Sequence, residues 1–427
     1  MSNAAVDLRQ ERGLALAKAK GKRFRHIAGG KYLVPSAQDT KAAGYVVDVD
    51  AGACTCPDHE ERRSRCKHLW AIEYFRQEVT APDGTTVVTE ALRVRTNTPR
   101  DWATYNRARG DELARVPFML HALCSRLQDP PRKPGPGRPR LHVRDAVFCA
   151  AMKVYLESTQ RDLRSYLQGC LAAGYLQSVP GLGSLCRTME DATLTPVLER
   201  LVEVSAMPLR GVETTFAADA TGFGTSGFSR WFDEKHGEGS KSRIWVKLHA
   251  MVATRSNVYT AVRVTRNEGE GTADCPNFGY LVERTQANGW NMQDVTADKA
   301  YLSHANLALV ERFRATPFIP FKIDSLPTGS PAWERAYHFA SLHQEEFLRR
   351  YHQRSNVEAS FGATKERFGG EVKSRLLSAQ FNEVLLKCLC FNLARLTLAF
   401  HELGIDACFA PPARTEPAAL PLAAEAP

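Results

Sequence analysis

Hydrophobic and polar residues alternate in short segments of the second half of the chain, a pattern typical of β-strands. Three such segments follow one another at 214–222, 243–253 and 258–265, and the last two are predicted to pair as a hairpin. The segments that follow predict a helix, a strand, a helix, a strand and a closing helix, at 277–288, 294–298, 306–314, 317–322 and 331–350. This order predicts an α/β domain, a mixed sheet flanked by helices.

Changes in composition divide the rest of the chain. Residues 1–24 are charged and alanine-rich, which predicts a short helix or a flexible arm. Residues 25–78 combine short alternating strands with a cysteine cluster, and residues 79–128 predict an extended connection followed by a helix. The α/β domain is assigned to residues 211–405, and its last apolar helix is expected to pack in the core. Residues 406–427 are rich in alanine and proline and are predicted to be disordered.

A linker rich in proline, glycine and cations occupies residues 129–140. Proline has no amide donor for a helix, so the linker is expected to be extended and exposed. Within it, Arg138 and its neighbours resemble the core of a hook that lays an arginine in the DNA minor groove. A plain basic linker is an equally open interpretation. Residues 141–210 predict helices separated by Gly/Pro turns, either a helix-turn-helix-like DNA-binding region or a plain helical connector.

Four potential metal ligands lie close together near the N-terminus: Cys54, Cys56, Cys66 and His68. They form a Cys-x-Cys pair and a Cys-x-His pair separated by nine residues. Three thiolates and an imidazole suit a closed tetrahedral zinc site, and close pairs limit the loop entropy lost on closure. The alternative is two chance cysteine pairs in a loop. His59 lies between the pairs and is predicted not to be a ligand.

This ligand pattern, placed after a predicted β-hairpin, resembles the SWIM-type zinc finger. The resemblance covers roughly residues 25–78 and implies a hairpin and a helix held together by Zn²⁺. It is specific for fold and metal but weak for function, since such fingers bind DNA in some proteins and other proteins in others.

The overall composition adds three expectations. The chain has 427 residues, 44% of them hydrophobic, and a formal net charge of +9, which favours a polyanionic partner without requiring one. Its 11 cysteines are an odd number and mostly stand alone in apolar context, which fits a reducing cytoplasm. The sequence indicates neither a membrane span nor a signal peptide.

Acidic residues close two of the predicted strands. Asp219 ends the first strand and Asp298 the fourth. The order of elements is that of the ribonuclease H-like fold, in which these two strand ends lie side by side. Glu358 lies on a helix expected to pack beside them, so three carboxylates would bind two Mg²⁺ ions, which prefer oxygen ligands. Taken singly, Asp219 and Asp298 are also explained as turn or capping residues.

One segment near the C-terminal end sets an acid between two cations and a phenol: Tyr351, Arg354, Glu358 and Lys365. On one helix these positions fall within roughly 60° of one another, so the carboxylate would be flanked by two phosphate-binding groups. A competing interpretation is a capping box, in which Ser355 caps the helix and Glu358 reaches back. In that case Tyr351 and Arg354 would precede the helix.

Three motifs together resemble the DDE transposases of bacterial insertion sequences: Asp219-Ala-Thr-Gly222, Ala297-Asp298-Lys-Ala-Tyr301 and Tyr-x2-Arg-x3-Glu-x6-Lys from Tyr351 to Lys365. The resemblance covers roughly residues 140–400. It implies an enzyme that cuts DNA at element ends and joins the freed 3′-hydroxyl to a target, using Mg²⁺ or Mn²⁺. It also implies that the three acids are metal ligands and that Tyr351, Arg354 and Lys365 contact or position DNA.

Other candidate DNA contacts are less specific. Lys247 and the aromatic segment 229–233 lie near the first acid in the predicted fold, and packing or a solvated face explains them equally well. Lys299 is a further candidate contact. Tyr301 is predicted either to contact DNA or to lie in the core.

The sequence therefore predicts a metal-dependent DNA transposase. Its expected partners are the terminal inverted repeats of an element and target DNA, with no membrane, and it would act as a homodimer or higher oligomer. One alternative is a nuclease or resolvase of the same fold that cuts without joining. Another is a non-catalytic DNA-binding protein derived from a transposase, against which the presence of all three acids and Lys365 argues.

Overall fold

The computed structural model describes residues 3–20, 23–36, 44–80, 86–90, 101–129, 141–225, 245–267, 269, 271–407 and 409. They form two compact units, Met1–Arg100 and Asp101–Pro427. The predicted DNA contact Arg138, the aromatic segment 229–233 and the tail from residue 410 lie outside the described residues.

A four-stranded antiparallel sheet organises the N-terminal unit. Its strands, in spatial order, are β1 (Arg25–Ala28), β2 (Lys31–Val34), β3 (Tyr45–Asp48) and β4 (Ala53–Cys54). Three helices accompany the sheet, α1 (Asn3–Lys20), α2 (Pro57–Arg62) and α3 (Lys67–Phe75). Tyr32, Val34 and Val47 are at most 1% exposed and form the core with residues of α3.

Of the two structures expected for the N-terminal residues, a short helix or a flexible arm, the helix α1 is found. Its Leu16 and Ala17 are buried in the core of the unit because they present an apolar face to α3. Gly13 permits the close approach, since a Cβ at this position would lie 2.5 Å from the Cβ of Trp70.

The structure differs from the prediction in the segment expected to be an extended connection. Strand β5 (Arg76–Thr80) follows α3 directly and pairs antiparallel with β6 (Thr86–Glu90). Strand β6 is rich in the β-branched residues valine and threonine, which favour a paired strand over a single extended connection.

Helices begin the C-terminal unit, broadly where the periodicity predicts them. They are α4 (Trp102–Cys124), α5 (Val143–Tyr155), α6 (Gln160–Ala172), α7 (Leu182–Glu190), α8 (Leu194–Ala206) and a 3₁₀ helix (Met207–Val212). Side-chain caps fix two of their starts: Asp101 accepts from the amide of Thr104, and Thr159 accepts from the amide of Asp162.

A mixed sheet follows, consisting of β7 (Thr215–Thr225), β8 (Trp245–Ala253), β9 (Tyr259–Arg266), β10 (Asp294–Ala297), β11 (Thr316–Phe318) and β12 (Glu371–Val372). The order across the sheet is β11-β10-β7-β8-β9, with β12 pairing the far end of β7. Strands β7, β8 and β9 are antiparallel neighbours, whereas β10 runs parallel to β7 and β11 parallel to β10. A mixed sheet with this order is consistent with the predicted ribonuclease H-like core.

Six helices flank or follow these strands: α9 (Asp274–Ala287), α10 (His304–Arg312), α11 (Pro331–Leu342), α12 (Gln344–Tyr351), α13 (Ser355–Phe368) and α14 (Leu377–Leu403). Helix α14 is the described helix that is long and apolar enough to span a bilayer, yet 83% of its most apolar window is buried inside the protein. Core helices of water-soluble proteins commonly share these properties, and the prediction that α14 packs in the core is confirmed.

Helices and sheet share one hydrophobic core in this unit. Val116 of α4, Val147 of α5 and Leu198 of α8 belong to the same buried cluster as Phe216 of β7 and Leu389 of α14. The predicted division between a helical region and an α/β domain near residue 210 therefore separates elements of a single compact unit.

A partly buried carboxyl between α8 and α9 is expected to make stability depend on pH. Burial raises the pKa of Glu199 to about 7, and the hydroxyl of Tyr280 donates to it at 3.2 Å. In the unfolded chain this carboxyl has a pKa near 4.5. At pH values between this pKa and the native pKa of about 7, the native state binds more protons than the unfolded state. The contribution of Glu199 to stability therefore falls as pH rises through this range. We expect Glu199→Gln to raise the free energy of unfolding at pH 8 by about 1–3 kcal/mol, with a smaller gain at pH 5.

Denaturant unfolding of the wild-type protein and of Glu199→Gln at pH 5 and at pH 8 measures this gain in the free energy of unfolding. Glu283→Gln, which removes an exposed carboxyl of α9, is the control and should show no such pH dependence. Equal gains for Glu199→Gln at pH 5 and pH 8 would contradict the assignment.

Candidate active site

Parallel pairing of β7 and β10 brings two predicted acids together. Ala218 of β7 pairs with Ala297 of β10, so Asp219, the next residue of β7, is set beside Asp298, which directly follows β10. Strand β7 continues to Thr225, so the prediction that Asp219 ends this strand is wrong: the pairing with β8 extends well beyond it. The carboxylate of Asp219 accepts from the amide of Ala220 at 2.8 Å. Asp298 caps the 3₁₀ turn that follows, accepting from the amide of Lys299 at 2.7 Å. Asp298 is therefore a capping residue, as one interpretation of the sequence predicts. This role is compatible with a place in the site, because the cap lies directly after the end of β10.

Arg354 joins the first acid to the third. One terminal nitrogen of its guanidinium donates to Asp219 at 2.9 Å and the other to Glu358 at 2.6 Å. Arg354 and Asp219 each expose 20% of the side chain, whereas Glu358 exposes 55%. The fork therefore fixes a partly buried acid of the sheet beside an accessible acid of α13.

The helical path through this segment is continuous. Helix α12 ends at Tyr351, a 3₁₀ turn covers His352–Arg354, and α13 begins at Ser355. No capping box forms: the hydroxyl of Ser355 donates to the carbonyl of His352 at 2.9 Å, and Glu358 turns to the guanidinium instead. The ring of Tyr351 stacks on the ring of Phe347, one turn earlier in α12, with centroids 6.3 Å apart.

Lys365 reaches the same strand farther along α13. Its ammonium donates to the hydroxyl of Thr221 at 2.6 Å and lies 5.3 Å from the centroid of the Phe223 ring. Burial lowers the pKa of Lys365. Thr221 is two residues beyond Asp219 and so shares its face of the sheet. Thr221 is the threonine of the Asp219-Ala-Thr-Gly222 motif, and no local pattern indicates that its hydroxyl bonds Lys365.

Lys247, a predicted DNA contact, lies on β8 and is partly engaged. Its ammonium is 2.8 Å from a carboxylate oxygen of Asp274 and 3.3 Å from the carbonyl of Thr272. It also lines a groove of about 360 Å³ together with Trp245 and the glycines of β7. Lys247 therefore borders the groove while an acid partly offsets its charge.

The acids influence one another electrostatically. Burial raises the pKa of Asp219, and the negative charges of Glu358 and Asp298 raise it further. The amide of Ala220 and the guanidinium of Arg354 act in the opposite direction. A site that concentrates negative charge in this way is suited to a divalent cation, and carboxylate oxygens are the ligands that Mg²⁺ and Mn²⁺ prefer.

The carboxylates of Asp219, Asp298 and Glu358 do not lie together as one compact group of metal ligands. Glu358 bonds Arg354, and Asp298 bonds a backbone amide. Their chemistry fits a divalent cation, and side-chain rotation of Asp298 and Glu358 away from these partners would be needed to direct both at one ion.

Two further cations, one partly exposed and one buried, fix the elements around the site. Arg350, at the end of α12, forms an ion pair with Asp294 at the start of β10. Lys387 of α14 is 2% exposed and donates to the carbonyls of Gly369 and Glu371, at 2.9 and 2.6 Å, which fixes the turn after α13. A lone lysine inside an apolar helix is the signal that could have identified Lys387 in the sequence.

In the N-terminal unit, the four predicted ligands come together: Cys54, Cys56, Cys66 and His68. All four are buried, and their ligand atoms lie within 4.8 Å of one another. Nδ1 of His68 is 3.8 Å from the sulfur of Cys54 and 3.9 Å from that of Cys66. Hydrogen bonds from Cys54 and His68 lower the pKa of Cys66, which favours a thiolate. Three sulfurs and one ring nitrogen at these separations could hold Zn²⁺.

The fold explains why these ligands meet. Cys54 ends β4, Cys56 precedes α2, and His68 lies in the first turn of α3 just after Cys66. The spare candidate His59 instead donates through Nδ1 to the carbonyl of Ser64 at 2.9 Å and is outside the cluster.

Comparison with known families identifies part of the chain. Residues 210–393 match the family model described as transposase DDE domain. Comparisons with curated proteins and with solved structures give no match. The family match covers all three predicted catalytic acids and supports a DDE transposase.

Proposed function

We propose that this protein is a DNA transposase that cleaves DNA at the ends of an element and transfers the freed 3′-hydroxyl to target DNA. The observation that carries the proposal is the placement of Asp219, in the middle of β7, beside Asp298, which directly follows the parallel strand β10, with Glu358 tied to Asp219 through Arg354. This arrangement lies inside the region that matches the transposase domain.

In the proposed mechanism, the three acids are the catalytic metal ligands. Two bound divalent cations, Mg²⁺ or Mn²⁺, would supply an activated nucleophile and a stabilised leaving oxygen for in-line displacement at phosphorus. Asp219 is held in place by its backbone hydrogen bond, whereas Glu358 is accessible and can turn from Arg354 toward the ion.

The cations around the acids are proposed to bind the DNA backbone. Arg354 offers two donors in a fixed fork, a geometry that suits a phosphate once DNA replaces a carboxylate partner. Lys365 lies farther along α13, and Lys247 borders the groove on β8. Tyr351, stacked at the end of α12, is proposed to help position the DNA end. Arg138 is proposed as a minor-groove contact from its sequence alone.

The other parts of the chain are assigned by the same proposal. The Cys/His cluster is a SWIM-type zinc finger in which Zn²⁺ holds the N-terminal unit folded. Helices α5–α7 supply a helix-turn-helix-like contact to the terminal inverted repeats. The enzyme acts as a homodimer or higher oligomer on DNA, in the cytoplasm.

A strand-transfer assay tests the proposal directly. Linear DNA that carries the inverted repeats flanking the coding region is incubated with purified protein, Mg²⁺ or Mn²⁺ and a plasmid target. We expect insertion of the element end into the plasmid, dependent on the divalent cation and suppressed as salt weakens phosphate contacts. Cleavage without joined products would indicate a nuclease or resolvase, and binding without cleavage a non-catalytic DNA-binding protein.

A further inference from the structure

The joining segment between α13 and α14, residues 369–376, is fixed to α14 by buried polar side chains. The carboxylate of Glu383, which is 5% exposed, accepts from the amides of Lys373 and Ser374 and from the hydroxyl of Ser374, at 2.7–3.1 Å. A buried carboxylate is costly unless hydrogen bonds replace its hydration, and the joining segment supplies these bonds. Glu383 therefore fixes the turn that leads from β12 into α14.

Two more side chains of α14 hold the same segment. Gln380 donates to the carbonyls of Ser374 and Arg375, at 3.2 and 3.1 Å. Lys387 donates to two carbonyls at the start of the segment, and its ammonium lies 3.8 Å from the carboxylate of Glu383. Three polar residues of a largely apolar helix thus fix the backbone of one short segment.

The cations of the joining segment are exposed and unpaired. Lys373 and Arg375 form no ion pair and no side-chain hydrogen bond with another described residue, whereas Arg354 is engaged by two carboxylates. The acid of the segment, Glu371, lies earlier, in β12 beside β7. An anion could therefore bind Lys373 and Arg375 without first breaking an internal ion pair.

The joining segment lies next to a proposed phosphate contact. A Cβ added at Gly370 would lie 3.9 Å from Cβ and Cδ of Lys365, so the start of the segment packs against this lysine. Strand β12 pairs with the far end of β7, the strand that carries Asp219, and Lys373 directly follows β12. The cations of the segment therefore continue the series formed by Arg354 and Lys365 on α13.

We propose that Lys373 and Arg375 bind backbone phosphates of the DNA held at the candidate active site, and that Glu383 and Gln380 are positioning residues for these two cations. This inference rests on the proposed function. A backbone fixed before binding lowers the entropy lost when long side chains are ordered on a phosphate. The joining segment is then a DNA-binding surface rather than a plain connection between two helices.

The double variant Lys373→Ala/Arg375→Ala tests the surface with little risk to the fold, because both side chains are exposed. Affinity for duplex DNA is measured at several salt concentrations without divalent cation, so that cleavage does not interfere. Each lost phosphate contact should make the slope of log affinity against log salt shallower by about 0.9. We expect a change of about 1.8 in slope and a loss of affinity of roughly 10-fold or more at about 0.15 M salt.

The loss should be equal for DNA with the inverted repeat and for unrelated DNA, because phosphates carry no sequence information. Arg312→Ala is the matched control. It removes an exposed cation of α10 that is paired with Glu283, so slope and affinity should stay at the wild-type values. Wild-type slope and affinity in the double variant would overturn the phosphate contacts while leaving the proposed function intact. Absence of DNA binding by the wild-type protein would overturn both.

Gln380→Met tests the positioning role, since methionine keeps the length of the side chain and removes both hydrogen bonds to the segment. We expect DNA affinity to fall about 2–10-fold in the otherwise wild-type protein. In the Lys373→Ala/Arg375→Ala background the same substitution should have no further effect, because the cations that it positions are absent. No loss in the wild-type background, or an equal loss in both, would overturn the positioning role.

Discussion

Asp219→Asn should abolish metal-dependent DNA cleavage, lowering the rate by roughly 10³-fold or more. Asparagine keeps the size of the side chain and can still accept the hydrogen bond from the amide of Ala220. It removes one negative charge from the proposed ligand set and weakens the hold of Arg354 between its two acids. The loss should therefore fall on cation binding and catalysis and spare the fold, because the side chain is only partly buried.

The measurement is nicking of a plasmid that carries an element end, with Mg²⁺ and separately with Mn²⁺. Asp324→Asn changes an exposed aspartate in the loop after β11 and serves as the control, with cleavage expected at the wild-type rate. Thermal unfolding of each variant separates loss of catalysis from loss of structure. Cleavage by a folded Asp219→Asn protein at the wild-type rate would refute the metal-site assignment.

His68→Ala should unfold the N-terminal unit while the C-terminal unit stays folded. The four ligands join β4, the start of α2 and the start of α3. Zinc binding supplies about 10 kcal/mol or more in small zinc modules, so losing one ligand removes much of the free energy that holds the unit together. We expect protease cleavage within residues 1–100 to accelerate at least about 10-fold and bound zinc to be lost.

Limited proteolysis followed by mass spectrometry locates the cleavage sites, and metal analysis counts bound zinc per chain. His59→Ala is the matched control, because it removes a neighbouring histidine and one hydrogen bond but no proposed ligand. Treatment of the wild-type protein with a chelator should reproduce the His68→Ala pattern. If His68→Ala and the chelator-treated wild-type protein resisted protease as well as the untreated wild-type protein does, the cluster would not hold the unit together through a metal.

The sequence was most informative where local pattern and topology agree. Alternation predicted the strands of the C-terminal sheet, and the order of elements then implied that Asp219 and Asp298 would lie side by side. The spacing of the four N-terminal ligands predicted their cluster, since close pairs leave few ways to arrange the chain.

Other features depend on contacts between distant segments, and local pattern could not reveal them. Ser355 and Glu358 carry the signature of a capping box, but Arg354 competes for the glutamate and the preceding 3₁₀ turn removes the helix start that the box requires. Packing of α1 depends on a matching surface of α3, which periodicity does not reveal. The buried ammonium of Lys387 is stabilised by carbonyls that the fold brings to it.

Packing of α14 also bears on when the proposed active site can assemble during synthesis. It packs against α4, α5, α7, α8 and β9, and it is the last helix of the described chain to leave the ribosome. Arg354 and Asp219 are already 135 residues apart in sequence, so their contact forms only after most of the unit has been made. Without α14 the core that supports both strands is open, and a nascent chain therefore carries the acids without an assembled site. Chains terminated before α14 should accordingly be inert in the proposed DNA cleavage.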